Sequence, residues 1–167
     1  MFVSEIYSVV DADYYNPTGV SFTSSSSTDR KEQSGITYTY STPSKFEVSY
    51  DYTITSGQNL RWYFISNPTG SSNQYGIGFQ KAQNSNEGAF TVRTTSSSNA
   101  NGGTIALNQK VNIRIVRDNN TFKCYVDETL ATTQTITWWD SHKPYGFAWA
   151  IWGTGTAKIE NIIVKPL

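Results

Sequence analysis

The sequence predicts an all-β chain: a two-sheet antiparallel β-sandwich of jelly-roll type with little or no helix. Three observations carry that expectation. Apolar and polar residues alternate with period two along many segments, as half-buried strands require. No stretch of eleven or more residues keeps apolar positions three and four apart, so no amphipathic helix is written into the chain. Strand-like segments recur about every ten residues with turn residues between them, the rhythm of a sandwich.

The elements follow in order. Residues 2–10 and 36–41 read as edge pairings, separated by a polar stretch that runs through Ser24–Ser27 to Gly35. Phe46, Val48, Tyr50, Tyr52 and Ile54 alternate with Glu47, Ser49, Asp51 and Thr53, giving one apolar and one polar face. After Ser56-Gly57-Gln58-Asn59, a strand from Leu60 to Ser66 sets Leu60, Trp62 and Phe64 against Arg61, Tyr63 and Ile65. Tyr75, Ile77 and Phe79 then alternate with Gly76, Gly78 and Gln80, and the glycines leave one face nearly bare. Phe90 and Val92 alternate with Thr91 and Arg93, and the Ser/Asn/Gly run from Thr94 to Gly103 reads as a loop. Val111, Ile113 and Ile115, the turn residues Asp118-Asn119-Asn120, and Phe122, Cys124 and Val126 make a hairpin. Phe147, Trp149 and Ile151 oppose Ala148, Ala150 and Trp152, Gly153-Thr154-Gly155 turns the chain, and Ala157 to Leu167 is the closing strand. No linker, fixed-period repeat or tail interrupts residues 1–167, which are expected to form one domain.

Composition narrows the function. With 167 residues, the chain can bury roughly two-thirds of its unfolded surface and fold without staples. Thirteen basic residues balance thirteen acidic ones, and no Lys/Arg cluster offers a footprint for nucleic acid. No apolar run reaches the length of a membrane span. Met1-Phe-Val-Ser-Glu-Ile lacks the basic start and apolar core of a signal peptide, as in a trimmed fragment or a protein exported by other means. One cysteine, Cys124, excludes an internal disulfide and reads as a small buried hydrophobe. One histidine, His142, excludes His-rich metal sites and most catalytic dyads. Aromatic residues at 14% with a charged fraction of only 16% suit neutral, hydroxylated ligands: Ser and Thr keep the surface wet, and Tyr and Trp offer flat apolar faces with polar tips.

Phe46-Glu-Val-Ser-Tyr-Asp-Tyr52, the Lys110–Val126 hairpin and the closing Ile159-Glu-Asn-Ile-Ile-Val164 resemble the concanavalin A-like lectin/glucanase superfamily, laminin-G-like domains included. The resemblance covers roughly residues 40–167. It implies two antiparallel sheets with a convex back and a concave front that often carries the ligand. It also implies a hairpin whose second strand ends in Asn-Gly or Asp-Gly, and here Glu128 stands in the glycine position after Asp127. The superfamily includes lectins, adhesion domains, glycosidases and modules of bacteriophage tails and microbial surface proteins, so function must come from residues.

Glycosidases need paired carboxylates, about 5 Å apart for retention and wider for inversion. The glucanases of this superfamily supply them as Glu-x-Asp-x-x-Glu or Glu-x-Asp-x-Glu, and the nearest string here is Glu47-Val-Ser-Tyr-Asp51, with Ser49 in the middle. Glu47 and Asp51 read as a solvated strand face, and no catalytic residue is assigned. Asp140-Ser-His142 is too local for a triad. No cofactor is expected. Asp11-Ala-Asp13-Tyr-Tyr-Asn16 is the one oxygen-rich stretch suited to calcium, but it lacks the further acidic positions and the glycine of a calcium loop.

Two groups of residues can hold a sugar, whose apolar ring face stacks on Trp or Tyr while amides and guanidinium groups bond its hydroxyls. One is the loop Trp138-Trp139-Asp140-Ser-His142-Lys-Pro-Tyr145, in which alternation sends one tryptophan to the core. The other is the strand face of Arg61, Tyr63, Gln80, Arg93 and Trp152, floored by Gly76, Gly78, Ala148 and Ala150. Tyr50, Tyr52, Trp62 and Trp149 fall on the apolar phase and belong to the core. The expectation is a non-catalytic carbohydrate-binding module for cell-surface or cell-wall glycans, extracellular, on a cell surface or on a virion, working beside other domains of a larger protein. A structural or adhesion module with a protein partner is the alternative, and a hydrolase using Glu87, Asp140 or Glu160 is the third reading.

Overall fold

The structure, a computed structural model, describes residues 12–25, 30–37, 43–65, 76–81, 87–93, 97–137 and 146–167, with side-chain surroundings for 12–25, 43–56, 77–79, 90, 103–137 and 154–167. The described residues form eleven strands and no helix: β1 (Tyr14–Asn16), β2 (Val20–Ser24), β3 (Arg30–Thr37), β4 (Lys45–Ile65), β5 (Gly76–Lys81), β6 (Glu87–Arg93), β7 (Ser97–Thr104), β8 (Lys110–Asp118), β9 (Thr121–Val126), β10 (Thr129–Thr135) and β11 (Gly146–Pro166). All pairings are antiparallel.

Two long strands organise the molecule. β4 and β11 pair along nearly their whole length, with register shifts at Trp152/Thr154 and Thr156/Ala157 where Gly57 faces Gly155. Such irregularities bend a strand. On one side of the bend, Lys45–Thr53 of β4 pairs with β8, followed outward by β9 and β10, while the end of β11 carries β1 and β2. These strands make the first sheet. On the other side, Arg61–Ile65 of β4 leads through β5 and β6 to β7, and the start of β11 carries β3. These make the second sheet. The second sheet folds over the first: the Tyr52 ring lies 5.9 Å from that of Phe79, edge to face, and β7 touches β9 and β10. The result is an all-β antiparallel sandwich.

The core follows the alternation. Phe46, Val48, Tyr50, Tyr52 and Ile54 of β4 are buried, as are Val111, Ile113 and Ile115 of β8, Phe122 and Cys124 of β9, and Ile159, Ile162 and Val164 of β11. From the second sheet, Ile77, Phe79 and Phe90 meet them. Each large side chain taken from water contributes about 1.5–3 kcal/mol against the ordering of the backbone. Trp62 and Trp149 occupy this same phase, in register with Phe79 and, through Phe64, with Ile77.

The structure corrects the sequence reading in several places. The described part of the Thr94–Gly103 run, expected to be a loop, lies in strand β7 (Ser97–Thr104), paired with β6. A ladder bonds backbone groups and needs no apolar side chain, and β7 is an edge strand with only one neighbour to satisfy. Ser56–Asn59 and Gly153–Gly155, read as breaks, lie within continuous β4 and β11. β1, β2, β3 and the polar β10 are additional edge strands. Residues 2–10 and 38–41 lie outside the described residues.

Local details fix the frame. Arg117 falls on the core phase of β8 and is wholly buried. Its Nε donates to the Asn119 carbonyl at 2.7 Å and its Nη1 to the Pro43 carbonyl at 2.8 Å, while the guanidinium lies 5.8 Å from the ring centres of both Phe46 and Phe122. It ties the β8–β9 turn to the start of β4. Gly19 has φ +65°, and a Cβ there would run into the Ile159 carbonyl, so glycine is required.

Candidate ligand-binding face

The outer face of the second sheet is built by register. Directly paired residues in an antiparallel sheet share a face. One row runs Arg30–Trp152–Arg61–Gln80–Ala89–Asn101 across β3, β11, β4, β5, β6 and β7. The next runs Glu32–Ala150–Tyr63–Gly78–Thr91–Asn99, and the third Ser34–Ala148–Ile65–Gly76–Arg93–Ser97. These rows take the phase opposite to buried Ile77, Phe79 and Phe90. Gly78 is itself buried, flanked in register by Tyr63 and Thr91. The strands bearing Arg61, Tyr63, Gln80, Arg93 and Trp152 are therefore neighbours, and glycine and alanine positions lie between the larger residues.

Trp138, Trp139 and Tyr145 lie outside the described residues, as do Asp11, Asp140 and His142. Sequence reasoning missed Arg30, Glu32, Thr91, Asn99 and Asn101 as members of this face. Arg30 and Glu32 sit in a segment without apolar alternation, and Asn99 and Asn101 in the run taken for a loop. The one available signal was strand order, which a single sequence does not give.

The outer face of the first sheet differs. Arg114 Nη1 meets Glu47 at 3.3 Å and Nη2 meets Glu128 at 3.0 Å, with the guanidinium 4.0 Å from the centre of the Tyr125 ring. Lys165 reaches the other oxygen of Glu47 at 3.5 Å. Asp51 accepts from Asn112 at 3.0 Å and from Asn161 at 2.8 Å. Lys110 and Lys158 share Glu160 at 3.5 and 3.3 Å. Glu47 and Asp51, read as a solvated strand face, are half-buried members of this network. The carboxylates hold cations and amides of their own sheet rather than facing one another as a hydrolytic pair.

Asn16 spends its side-chain oxygen on its own turn, accepting from Gly19 N at 2.8 Å and Thr18 Oγ1 at 3.1 Å. Among the described residues, no group of three His, Cys, Asp or Glu converges for a metal. Burial pushes the Cys124 thiol up to about 12, and burial likewise raises the Tyr52 phenol. Tyr50 is raised by burial first, then by Tyr52 and Cys124. Cys124 is thus a packed thiol, as expected from sequence, not a nucleophile.

The architecture is an antiparallel β-sandwich, and solved structures share it. The carbohydrate-binding module CBM66 from Bacillus subtilis superposes with TM-score 0.64 at 15% identity, over 94% of this chain and 98% of that one. Sheep galectin-11 superposes with TM-score 0.54 at 10% identity, over 83% and 99%. A β-fructofuranosidase from Aspergillus kawachii aligns 99% of this chain with 29% of its own, at TM-score 0.61 and 12% identity. Binding modules and enzymes thus share the fold. No protein-family model matches the chain. No curated protein sequence matches it.

Proposed function

We propose that this chain is a non-catalytic carbohydrate-binding module that engages cell-surface or cell-wall glycans from the outer face of its second sheet. One observation carries the reading: the register sets Trp152, Arg61, Gln80, Tyr63 and Arg93 around glycine and alanine positions on one continuous face. An indole for stacking, amide and guanidinium groups for hydroxyls, and space between them are what a sugar needs. The likeness to a carbohydrate-binding module and a galectin adds support. On this reading the chain works outside a cell, on its surface or on a virion, as a domain of a larger protein, with Trp138, Trp139 and Tyr145 contributing from the loop that precedes β11.

A glycan array that includes microbial wall polysaccharides tests it, with Trp152→Ala and Trp138→Ala beside the parent. Binding lost in Trp152→Ala at unchanged melting temperature supports the face. A folded domain that binds no glycan sinks the reading.

A second reading, a module that docks on protein, draws on the first sheet. One register row there runs Tyr15–Ile163–Ser49–Arg114–Tyr125–Leu130, with Tyr15 46% and Leu130 51% exposed. Aromatic, aliphatic and Arg positions bordered by charged rows resemble the centre and rim of an interface. Absence of glycan binding together with a defined protein complex would favour it.

A further inference from the structure

We infer that the sugar this face selects carries a carboxylate, an inference that rests on the carbohydrate reading above and narrows its ligand class. The observation is the row Arg30–Trp152–Arg61–Gln80 on four adjacent strands. Two guanidinium groups belong to the positions on either side of one indole, about 10 Å apart at the backbone, given the spacing of neighbouring strands. Arg93 adds a third on the same face, in the row of Ile65 and Gly76. Among the described residues, the acidic positions on this face are Glu32, two residues from Arg30 on edge strand β3, and Glu87 at the end of β6 beyond its register shift.

The net charge of zero hides this arrangement. On the first sheet each cation of the network meets a carboxylate: Arg114 meets Glu47 and Glu128, Lys165 meets Glu47, and Lys110 and Lys158 share Glu160. On the second sheet the row centred on Trp152 contains no acidic position. A neutral sugar needs the indole and the amide but not two arginines beside them. Arginine presents a planar fork that matches a carboxylate in two parallel hydrogen bonds, an advantage over lysine and over neutral donors. A pyranose over this row would have arginine positions on both sides of Trp152 for a ring carboxylate and the Gln80 position for a ring hydroxyl.

Matched polymers separate charge from shape. The whole 167-residue chain is titrated with polygalacturonate, alginate and hyaluronan, and with the same polymers after reduction of their carboxylates to alcohols. Dextran and a β-glucan serve as neutral probes. The expected result is binding of at least one acidic polymer that falls about ten-fold or more on carboxyl reduction, the scale of losing a charge-assisted hydrogen-bond pair, and that weakens with added salt. Arg61→Ala should abolish the preference for the acidic form while Arg61→Lys keeps part of it. Thermal melts check folding, and Arg30→Ala on the edge strand stands in if Arg61→Ala does not fold. Equal binding of acidic and reduced polymers, or binding of the neutral probes alone, overturns the acidic inference and leaves the carbohydrate reading intact. A folded chain that binds none of the polymers overturns both.

Discussion

The outer faces of the two sheets are made from similar residue types and organised to opposite ends. On the first sheet, Arg114, Glu47, Glu128, Asp51 and Asn112 are held in contacts of 3.0–3.3 Å with one another, and the ring of Tyr125 is covered by a guanidinium. On the second, arginine, tyrosine, tryptophan and glutamine positions lie among glycine and alanine positions, and the row through Trp152 has no acidic position. A polar group already matched within its own sheet loses those partners if it binds something else. The second sheet instead gathers arginine and glutamine positions in a row without an acidic position. Polar residues on the first sheet should therefore report on stability, and those on the second on ligand.

Arg117 marks the stability extreme of this comparison. It is buried, and two backbone carbonyls depend on it at 2.7 and 2.8 Å. Arg117→Met keeps most of the volume but strands both acceptors, so it should lower unfolding free energy by about 2–4 kcal/mol. Urea denaturation measures this, and glycan binding by the fraction still folded should match the parent. A loss below about 0.5 kcal/mol would mean that water replaces the guanidinium and that the turn is not tied as described.

How much of this was legible follows from what a strand displays in sequence. β8 and β9 were read correctly because Val111, Ile113, Ile115, Phe122 and Cys124 keep strict alternation, and burial enforces a strand's phase. Arg117 was not singled out, because nothing local says that its neighbours across the sheet are Phe46 and Phe122. β7 and β10 are polar edge strands, and their pairing rests on backbone bonds that side-chain patterns do not show. β4 and β11 were each cut at glycines, since Gly57 and Gly155 look like turn residues until the two strands are seen to bend together. The candidate face was half legible: the phase of Gly76, Gly78, Ala148 and Ala150 marked it, but Arg30 joins it only through the order of strands.

Arg114→Ala sharpens the comparison at intermediate size. The residue joins half-buried Glu47 to exposed Glu128 and lies over Tyr125, while its Nε is buried with no hydrogen-bond partner. That unbonded donor and the ordering of a long side chain offset part of the gain, so the loss should be about 1–2 kcal/mol rather than the sum of its contacts. Affinity for any glycan bound by the second sheet should stay within two-fold of the parent, about 0.4 kcal/mol. A large loss of binding without a loss of stability would assign the ligand to the first sheet and reverse the comparison.

The smallest effect concerns Glu128. With φ 46° at Asp127 and 62° at Glu128, the β9–β10 turn holds two residues in the left-handed region, as a type I′ hairpin does. Glycine suits the second position, and Glu there costs about 1–2 kcal/mol of backbone strain. Against this stands the bond to Arg114 at 3.0 Å, made by a side chain 70% exposed, which returns at most about 1 kcal/mol. Glu128→Gly removes both terms and adds some unfolded-state entropy, so it should shift stability by less than about 1 kcal/mol, toward greater stability. The salt dependence of unfolding should shrink with it, because the exposed end of the Arg114 pair is gone. Thermal melts of the parent and Glu128→Gly at low and high salt distinguish the two terms. If Glu128→Gly is clearly destabilised at low salt and matches the parent at high salt, the ion pair outweighs the strain, and the glutamate is retained in a glycine position to neutralise Arg114 on a face that keeps its charges matched.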